Sequence, residues 1–180
     1  MGTTFVAGVY GVGKSTLCDT LAVSLGIPAY SAGDLISQAN GEKYGANKVV
    51  QDKEKNQDIL AIKVAEKLEE YSSILLAGHF CIFDKENRVD KLPDTVFEKL
   101  QIEQILLLEA DVNQIIYNLN NRDGKKYMQE NLSMLLAEER SMAMKISELL
   151  NIPLYIHQMS FTKTDEETCI KFINERGVKE

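Results

Sequence analysis

One nine-residue stretch constrains this chain more than any other: Gly8-Val9-Tyr10-Gly11-Val12-Gly13-Lys14-Ser15-Thr16. It matches the spacing G-x-x-x-x-G-K-[ST], a phosphate-binding P-loop. Glycines let backbone N–H groups curl around phosphate oxygens with no side chain in the way. A helix beginning near Lys14 aims the positive end of its dipole at the same anion. Lys14 brings a point charge to the β- and γ-phosphates of a nucleoside triphosphate, and the Ser15 hydroxyl is placed to hold Mg²⁺. The expected binding set is Gly8, Gly11, Val12, Gly13, Lys14, Ser15 and Thr16, with ATP and Mg²⁺ as cofactors. The motif carries weight only between a strand and a helix. Thr3–Ala7 reads as that strand, and Lys14–Leu25 as that helix, with Leu17, Leu21 and Leu25 on one face and Gly26 ending it.

The rest of the chain alternates short apolar runs with longer helical ones. Strands are expected at 28–30, 73–77, 104–108 and 153–157, and helices at 34–40, 52–71, 93–100, 112–121, 130–150 and 165–175. The run Ser73-Ile74-Leu75-Leu76-Ala77 is apolar rather than alternating, which suits a strand covered on both faces. Strands separated by helices imply right-handed crossovers. The expected fold is therefore α/β, a three-layer P-loop architecture with a five-stranded parallel sheet and helices on both faces. Ligands in such folds bind at the carboxyl ends of the strands, where the Gly8–Thr16 loop falls.

With 180 residues, the chain suits a single domain spanning 1–180. The balance of 20 Lys plus Arg against 27 Asp plus Glu, a net charge of −7, argues against a nucleic-acid backbone as the main partner. No apolar run approaches the ~20 residues that cross a bilayer, so no membrane is expected. The first six residues lack the basic region of a signal peptide, and Val6 stands where myristoylation needs Ser or Thr. Cys18, Cys81 and Cys169 are odd in number and far apart, as expected of reduced thiols in a cytoplasmic protein. His79 and His157, the only histidines, do not make a zinc site.

After the P-loop helix, Tyr30-Ser31-Ala32-Gly33-Asp34-Leu35-Ile36 resembles the S-x-G-D-L segment of nucleoside monophosphate kinases. With Leu76-Ala77-Gly78-His79, the layout is most similar to the compact adenylate kinases of archaea and eukaryotic nuclei. The resemblance implies an acceptor-binding arm at 31–71 and a short lid at 120–127 containing Arg122-Asp123-Gly124-Lys125-Lys126. It assigns Arg122 to stabilising the transferring phosphoryl group, a step that needs cations on the equatorial oxygens and little covalent chemistry. It also places the 158–164 loop around the adenine.

Departures from that pattern bear on the acceptor. Ser37 stands where the family holds the acceptor phosphate with arginine, Ala77 where an acidic residue organises Mg²⁺, and Asn118 where a lid arginine stacks on the base. The proline common in the family's P-loop is replaced by Tyr10 or Gly11. One lost charge-assisted contact weakens phosphate binding by roughly 1.5–3 kcal/mol unless another cation substitutes. Lys43, Lys48, Lys53, Lys85 and Arg88 are candidates for that substitution. Asp34 would either touch Mg²⁺ and take a proton from an acceptor hydroxyl, or cap its own helix. Asp84 is a distant candidate for the carboxylate absent at Ala77, and His79 a candidate for phosphate or water contact. Glu138-Glu139-Arg140 reads as a surface network with Leu136 and Met144 buried beside it, or else as a basic residue turned to the phosphates.

The expected function is ATP-dependent phosphoryl transfer to a nucleoside monophosphate or similar small acceptor, catalysed by Lys14, Arg122 and Asp34. The alternatives are an ATPase switch acting with a protein partner and a catalytically weak nucleotide-binding module. An acceptor arm and lid have no evident purpose in a pure binding module. Closure over the acceptor should leave 41–47 and 120–126 mobile without ligand.

Overall fold

The computed structural model describes residues 2–41, 53–123 and 126–175. Five parallel strands form its central sheet: β1 (Thr3–Ala7), β2 (Ala29–Ser31), β3 (Ile74–Ala77), β6 (Ile102–Glu109) and β7 (Leu154–Gln158). Between β3 and β6 lies a separate antiparallel hairpin of β4 (Cys81–Phe83) and β5 (Val89–Lys91). The sheet order is β2-β3-β1-β6-β7, so β1 occupies the centre and delivers the Gly8–Thr16 loop to the middle of the carboxyl edge. Seven helices connect the strands among the described residues: α1 (Lys14–Leu25), α2 (Ala32–Ala39), α3 (Lys53–Glu70), α4 (Asp94–Glu98), α5 (Val112–Asp123), α6 (Gln129–Leu150) and α7 (Lys163–Asn174).

The apolar strands lie at the centre because both sheet faces are covered. Every residue of β1 and β3 is buried, and Phe5 stands opposite Leu76 on one neighbour and Ile105 on the other. Helices α1 and α7 pack against each other and against β3 and β7, whereas α6 packs with α4 and α5 and against β6. Polar side chains inside the sheet are satisfied. Gln104 Nε2 donates to Thr4 Oγ1 at 2.7 Å, and Thr3 Oγ1 donates to the Leu100 carbonyl at 2.8 Å. No described helix is long and apolar enough to cross a membrane.

All five expected sheet strands are present, with ends shifted by one or two residues. The β4–β5 hairpin was not expected, because its strands are three residues long and its connection is charged. Asp84 makes that connection. Its carboxylate accepts from Glu86 N at 2.8 Å, Arg88 N at 2.9 Å and Arg88 Nε at 2.9 Å, and these hydrogen bonds hold it below its ordinary pKa. Asp84 is thus a turn former and does not replace the carboxylate absent at Ala77. Arg88 pairs with Asp84 and Glu86 in the same turn, so it does not reach the cleft, and Lys85 is exposed beside it. The α5 helix runs through Asp123 and carries Arg122 in its last turn, two residues beyond the expected end. Of the two segments expected to be mobile, 42–47 and 124–125 lie outside the described residues, as do Lys43, Lys48 and the side chain of Lys53.

Leu106 is fully buried at the centre of β6, between β1 and β7. Leu106→Ala should lower unfolding free energy by about 2–5 kcal/mol in urea titrations. Val23→Ala, at an 85% exposed position on α1, should change it by less than about 0.5 kcal/mol.

Candidate functional site

The loop after β1 turns back on itself through three glycines with positive φ, Gly8 at 147°, Gly11 at 78° and Gly13 at 97°. Side chains would be blocked by space as well. A Cβ at Gly8 would fall 2.6 Å from the Leu108 carbonyl oxygen, and one at Gly11 would fall 2.8 Å from Leu119 Cγ. Val9 and Val12 are buried beneath the loop and fasten it to the core. Gly13 opens α1 with no side-chain cap, so the first N–H groups of that helix face the cleft for a ligand to satisfy. Lys14 Nζ folds back over the loop and donates to the Gly8 carbonyl at 2.6 Å and the Val9 carbonyl at 2.9 Å. Ser15 and Thr16 are exposed at the start of α1.

A buried carboxylate lies under this loop. Glu139, in the middle of α6, is 2% exposed. It accepts from Gly8 N at 3.1 Å, Phe80 N at 3.0 Å and Cys81 N at 2.7 Å. Burial pushes its pKa up to about 7, against the hydrogen bonds and the nearby Lys14 charge, which pull it down. Its neighbours behave as expected of a surface. Glu138 pairs with Lys91 at 2.6 Å, and Arg140 pairs with Glu109 at 3.3 Å instead of turning to the phosphate loop. Leu136 packs on the core as expected, but Met144 is 49% exposed. The signal for Glu139 was present in the spacing. It falls on the stripe of Leu132, Leu135, Met142, Ala143 and Ile146, where a charge is out of place unless it is partnered.

The cleft above the loop is an open cavity of about 990 Å³, and Gly11, Gly13, Lys14, Ser15, Thr16, Asp34, His79, Asn118 and Arg122 all line it. The Lys14, Arg122 and Asp34 positions therefore share one cavity, with Arg122 exposed at its edge. Asp34 is not the cap of α2. Ser31 holds that position, its Oγ accepting from Asp34 N at 3.4 Å, and the Asp34 carboxylate is exposed in the first turn. Ser37 Oγ donates to the Gly33 carbonyl at 2.9 Å, which commits its hydroxyl to its own helix. Asn118 Nδ2 donates to the Gly11 carbonyl at 2.9 Å, so the position expected to stack on a base braces the phosphate loop. The His79 ring lies 4.5 Å from that of Tyr10, beside the loop.

The 158–164 segment closes the cleft on the β7 side. Asp165, 3% exposed, accepts from His157 Nε2 at 2.8 Å, Ser160 N at 2.9 Å and Thr162 N at 3.2 Å. Burial raises its pKa, but these donors outweigh burial and leave it below the ordinary value. The network holds Phe161 at a φ of 59°, with its ring against the space beside Gly13. The three cysteines are buried, and desolvation raises each thiol to about 12. No cluster of three or more His, Cys, Asp or Glu that could hold a metal exists among the described residues.

The sequence family described as AAA domain matches residues 7–135. No curated protein sequence is significantly similar to the chain. Solved structures share its fold. A shikimate kinase from Acinetobacter baumannii, in complex with shikimate, superposes with a TM-score of 0.64 at 13% identity, covering 99% of this chain and 96% of that one. A sugar kinase from Janibacter gives 0.60 at 14% identity, covering 98% and 96%. A gluconokinase from Sinorhizobium meliloti gives 0.54 at 12% identity, covering 97% and 94%.

Removing the Glu139 carboxylate strands three buried N–H groups, so Glu139→Ala should destabilise the fold by about 3 kcal/mol or more in chemical denaturation. Because the folded carboxyl holds its proton to higher pH than the unfolded one, its contribution to stability is full below the ordinary value of 4.5 and lost as pH rises through about 7. Glu139→Gln should flatten that decline in denaturation curves taken across the same range.

Proposed function

We propose that this chain, which belongs to the AAA-domain family, transfers the γ-phosphoryl group of ATP to a small acceptor bound beside Asp34. One observation carries this reading. The phosphate-binding loop and an exposed carboxylate from the helix after the second strand line a single cavity. A binding module needs the loop alone. The solved structures that share the fold include kinases for shikimate and sugars, which supports small-molecule transfer.

In this reading the N–H groups of Gly11, Gly13 and the first turn of α1 hold the β- and γ-phosphates, whereas Gly8 N and Val12 N, expected in that set, donate to Glu139 at 3.1 Å and to the Val9 carbonyl at 3.4 Å. Lys14 leaves the Gly8 and Val9 carbonyls and moves onto phosphate oxygen. Those contacts show how far Nζ reaches over the loop. The donor set fits Mg²⁺. Ser15 and Asp34 present hard oxygen donors to the cavity, and a Mg·ATP complex needs few protein ligands because water and phosphate supply the rest. Ser15 would hold the ion, which neutralises charge on the phosphates when bound. Phe161 and Asn118 flank the space for the base. Arg122, exposed on the last turn of α5 at the edge of the cavity, would approach the transferring group.

The acceptor oxygen forms a bond to the γ-phosphorus while the bond from that phosphorus to the β–γ bridging oxygen breaks. ADP leaves with the electron pair, and the acceptor proton passes to Asp34. A nucleoside monophosphate fits the resemblance of 30–36 to nucleoside monophosphate kinases, but Ser37 offers its phosphate no charge. Ser37 and Ala77 also motivate a second reading, an ATPase switch whose hydrolysis a protein partner stimulates. It would release phosphate and form no phosphorylated small product. The acidic charge and buried thiols fit a cytoplasmic setting.

Acceptor-dependent ADP formation from Mg·ATP, followed in a coupled assay, tests the proposal. Lys14→Ala should reduce it at least a hundredfold. Asp34→Asn should lower kcat by about 10²–10⁴ with little change in ATP affinity, as for the loss of a general base. A Lys14→Ala protein that turns over at the wild-type rate would contradict phosphate handling by this loop.

A further inference from the structure

Four described residues other than glycine have a positive φ: Asn87, Gln101, Asn151 and Phe161. Asparagine tolerates that region because its short amide hydrogen-bonds locally. A bulky aromatic gains nothing there, so Phe161, at 59°, is held against its own preference. The holding group is Asp165. Its carboxylate accepts from the N–H groups on either side of Phe161, Ser160 N at 2.9 Å and Thr162 N at 3.2 Å. Only the second belongs to the capping box in which Thr162 and Asp165 start α7. The bonds from Ser160 N, from Ser160 Oγ at 2.9 Å and from His157 Nε2 at 2.8 Å reach back before the helix, and a cap has no need of them. Asp165 is 3% exposed, so these bonds are made away from water, where leaving one unmade is costly.

The ring held in this way is 43% exposed and lines the cavity. Its Cε1 lies 3.5 Å from the point where a Cβ on Gly13 would stand, and Met159 Cε lies 3.4 Å from the same point. It therefore stands beside the start of α1, next to the phosphate loop. Strand order fixes which end of a nucleotide it meets. Asp34 follows β2 at one edge of the sheet, Phe161 follows β7 at the other, and the phosphate loop after β1 lies between them. With the γ-phosphate turned toward Asp34, the base end points toward Phe161. A nucleobase offers a flat π face, and an aromatic ring fixed in advance is the complementary surface.

We propose that Phe161 stacks on the nucleobase of the triphosphate, and that Asp165 is a positioning residue that sets the ring by gripping the backbone on both sides of it. This rests on the placement of ATP in the phosphoryl-transfer reading above. The turn is built before the nucleotide arrives, so little ordering is left for binding to do.

Equilibrium titration of the full chain with Mg²⁺ and either ATP or ribose 5′-triphosphate, which is ATP without its base, tests the proposal. Phe161→Asn removes the ring and substitutes a residue that tolerates the same φ, so chemical denaturation should show no loss of stability. It should raise the Kd for ATP about tenfold or more and change that for ribose 5′-triphosphate less than about twofold. Phe161→Tyr should bind both as the wild type does. Asp165→Asn should weaken ATP with the same selectivity and add no further loss in the Phe161→Asn background, because it acts through the ring. Should Asp165→Asn not fold, His157→Asn, which removes a partner of the carboxylate outside the helix cap, goes through the same cycle with the same expected pattern. ATP bound by Phe161→Asn as tightly as by the wild type, or both ligands weakened alike, would overturn the stacking role. Losses at the two sites that add would overturn the positioning role. Failure of the wild type to bind either ligand in a Lys14-dependent way would overturn the nucleotide reading itself, and this inference with it.

Discussion

Glu139 accepts hydrogen bonds from Gly8, Phe80 and Cys81, and in doing so pins the start of the phosphate loop to the segment that follows β3 and to the first strand of the hairpin. These groups lie 131, 59 and 58 residues away from it along the chain. A loop of glycines has many conformations, and only one points its N–H groups at a phosphate. Selecting that one needs an anchor that is stiff and directional. A carboxylate with fully formed hydrogen bonds in a dry interior supplies both, because leaving any of them unmade is expensive. The opposition between burial and hydrogen bonding at Glu139 explains why the group sits so close to its titration point.

Everything functional is arranged around that fixed loop. Below it, Val9 and Val12 join the core. Above it, Lys14 lies across two carbonyls that a triphosphate would displace it from. To one side the Asp165 network shapes the 158–164 turn and its strained Phe161. To the other, the half-buried Ile82 of the hairpin and Leu92 line the same cavity. Among the described residues, the site joins Lys14, Arg122 and Lys163 on one side to the Asp34 carboxylate and the Asn56 and Gln57 amides on the other.

Much of this could be read from residues alone, and the exceptions have physical causes. The phosphate loop was legible because its chemistry demands particular residues at fixed spacing. The sheet was legible because strands buried on both faces read as unbroken apolar runs, as Ile74–Ala77 does. The hairpin was not, because strands of three residues carry no periodicity and Asp84 looks like any solvated charge. Glu139 was hidden between two residues that are surface charges, and only its register with Leu135 and Met142 marks it. Asp34 was open to reading as a helix cap because Ser31, the actual cap, also belongs to the S-x-G-D-L pattern. Arg122 fell beyond the expected end of its helix because Asn118, Asn120 and Asn121 are weak helix formers, yet α5 continues to Asp123. The 42–52 part of the arm lies outside the described residues.

The most direct test of the central claim is a crystal structure with Mg²⁺ and a non-hydrolysable ATP analogue. Lys14 Nζ should have left the Gly8 and Val9 carbonyls for phosphate oxygen, the N–H groups of Gly11, Gly13 and the start of α1 should surround the β-phosphate, and the three bonds to Glu139, that from Gly8 N included, should be unchanged. Nucleotide bound elsewhere in the cavity, with Lys14 still on its two carbonyls, would contradict a phosphate cradle preformed on Glu139.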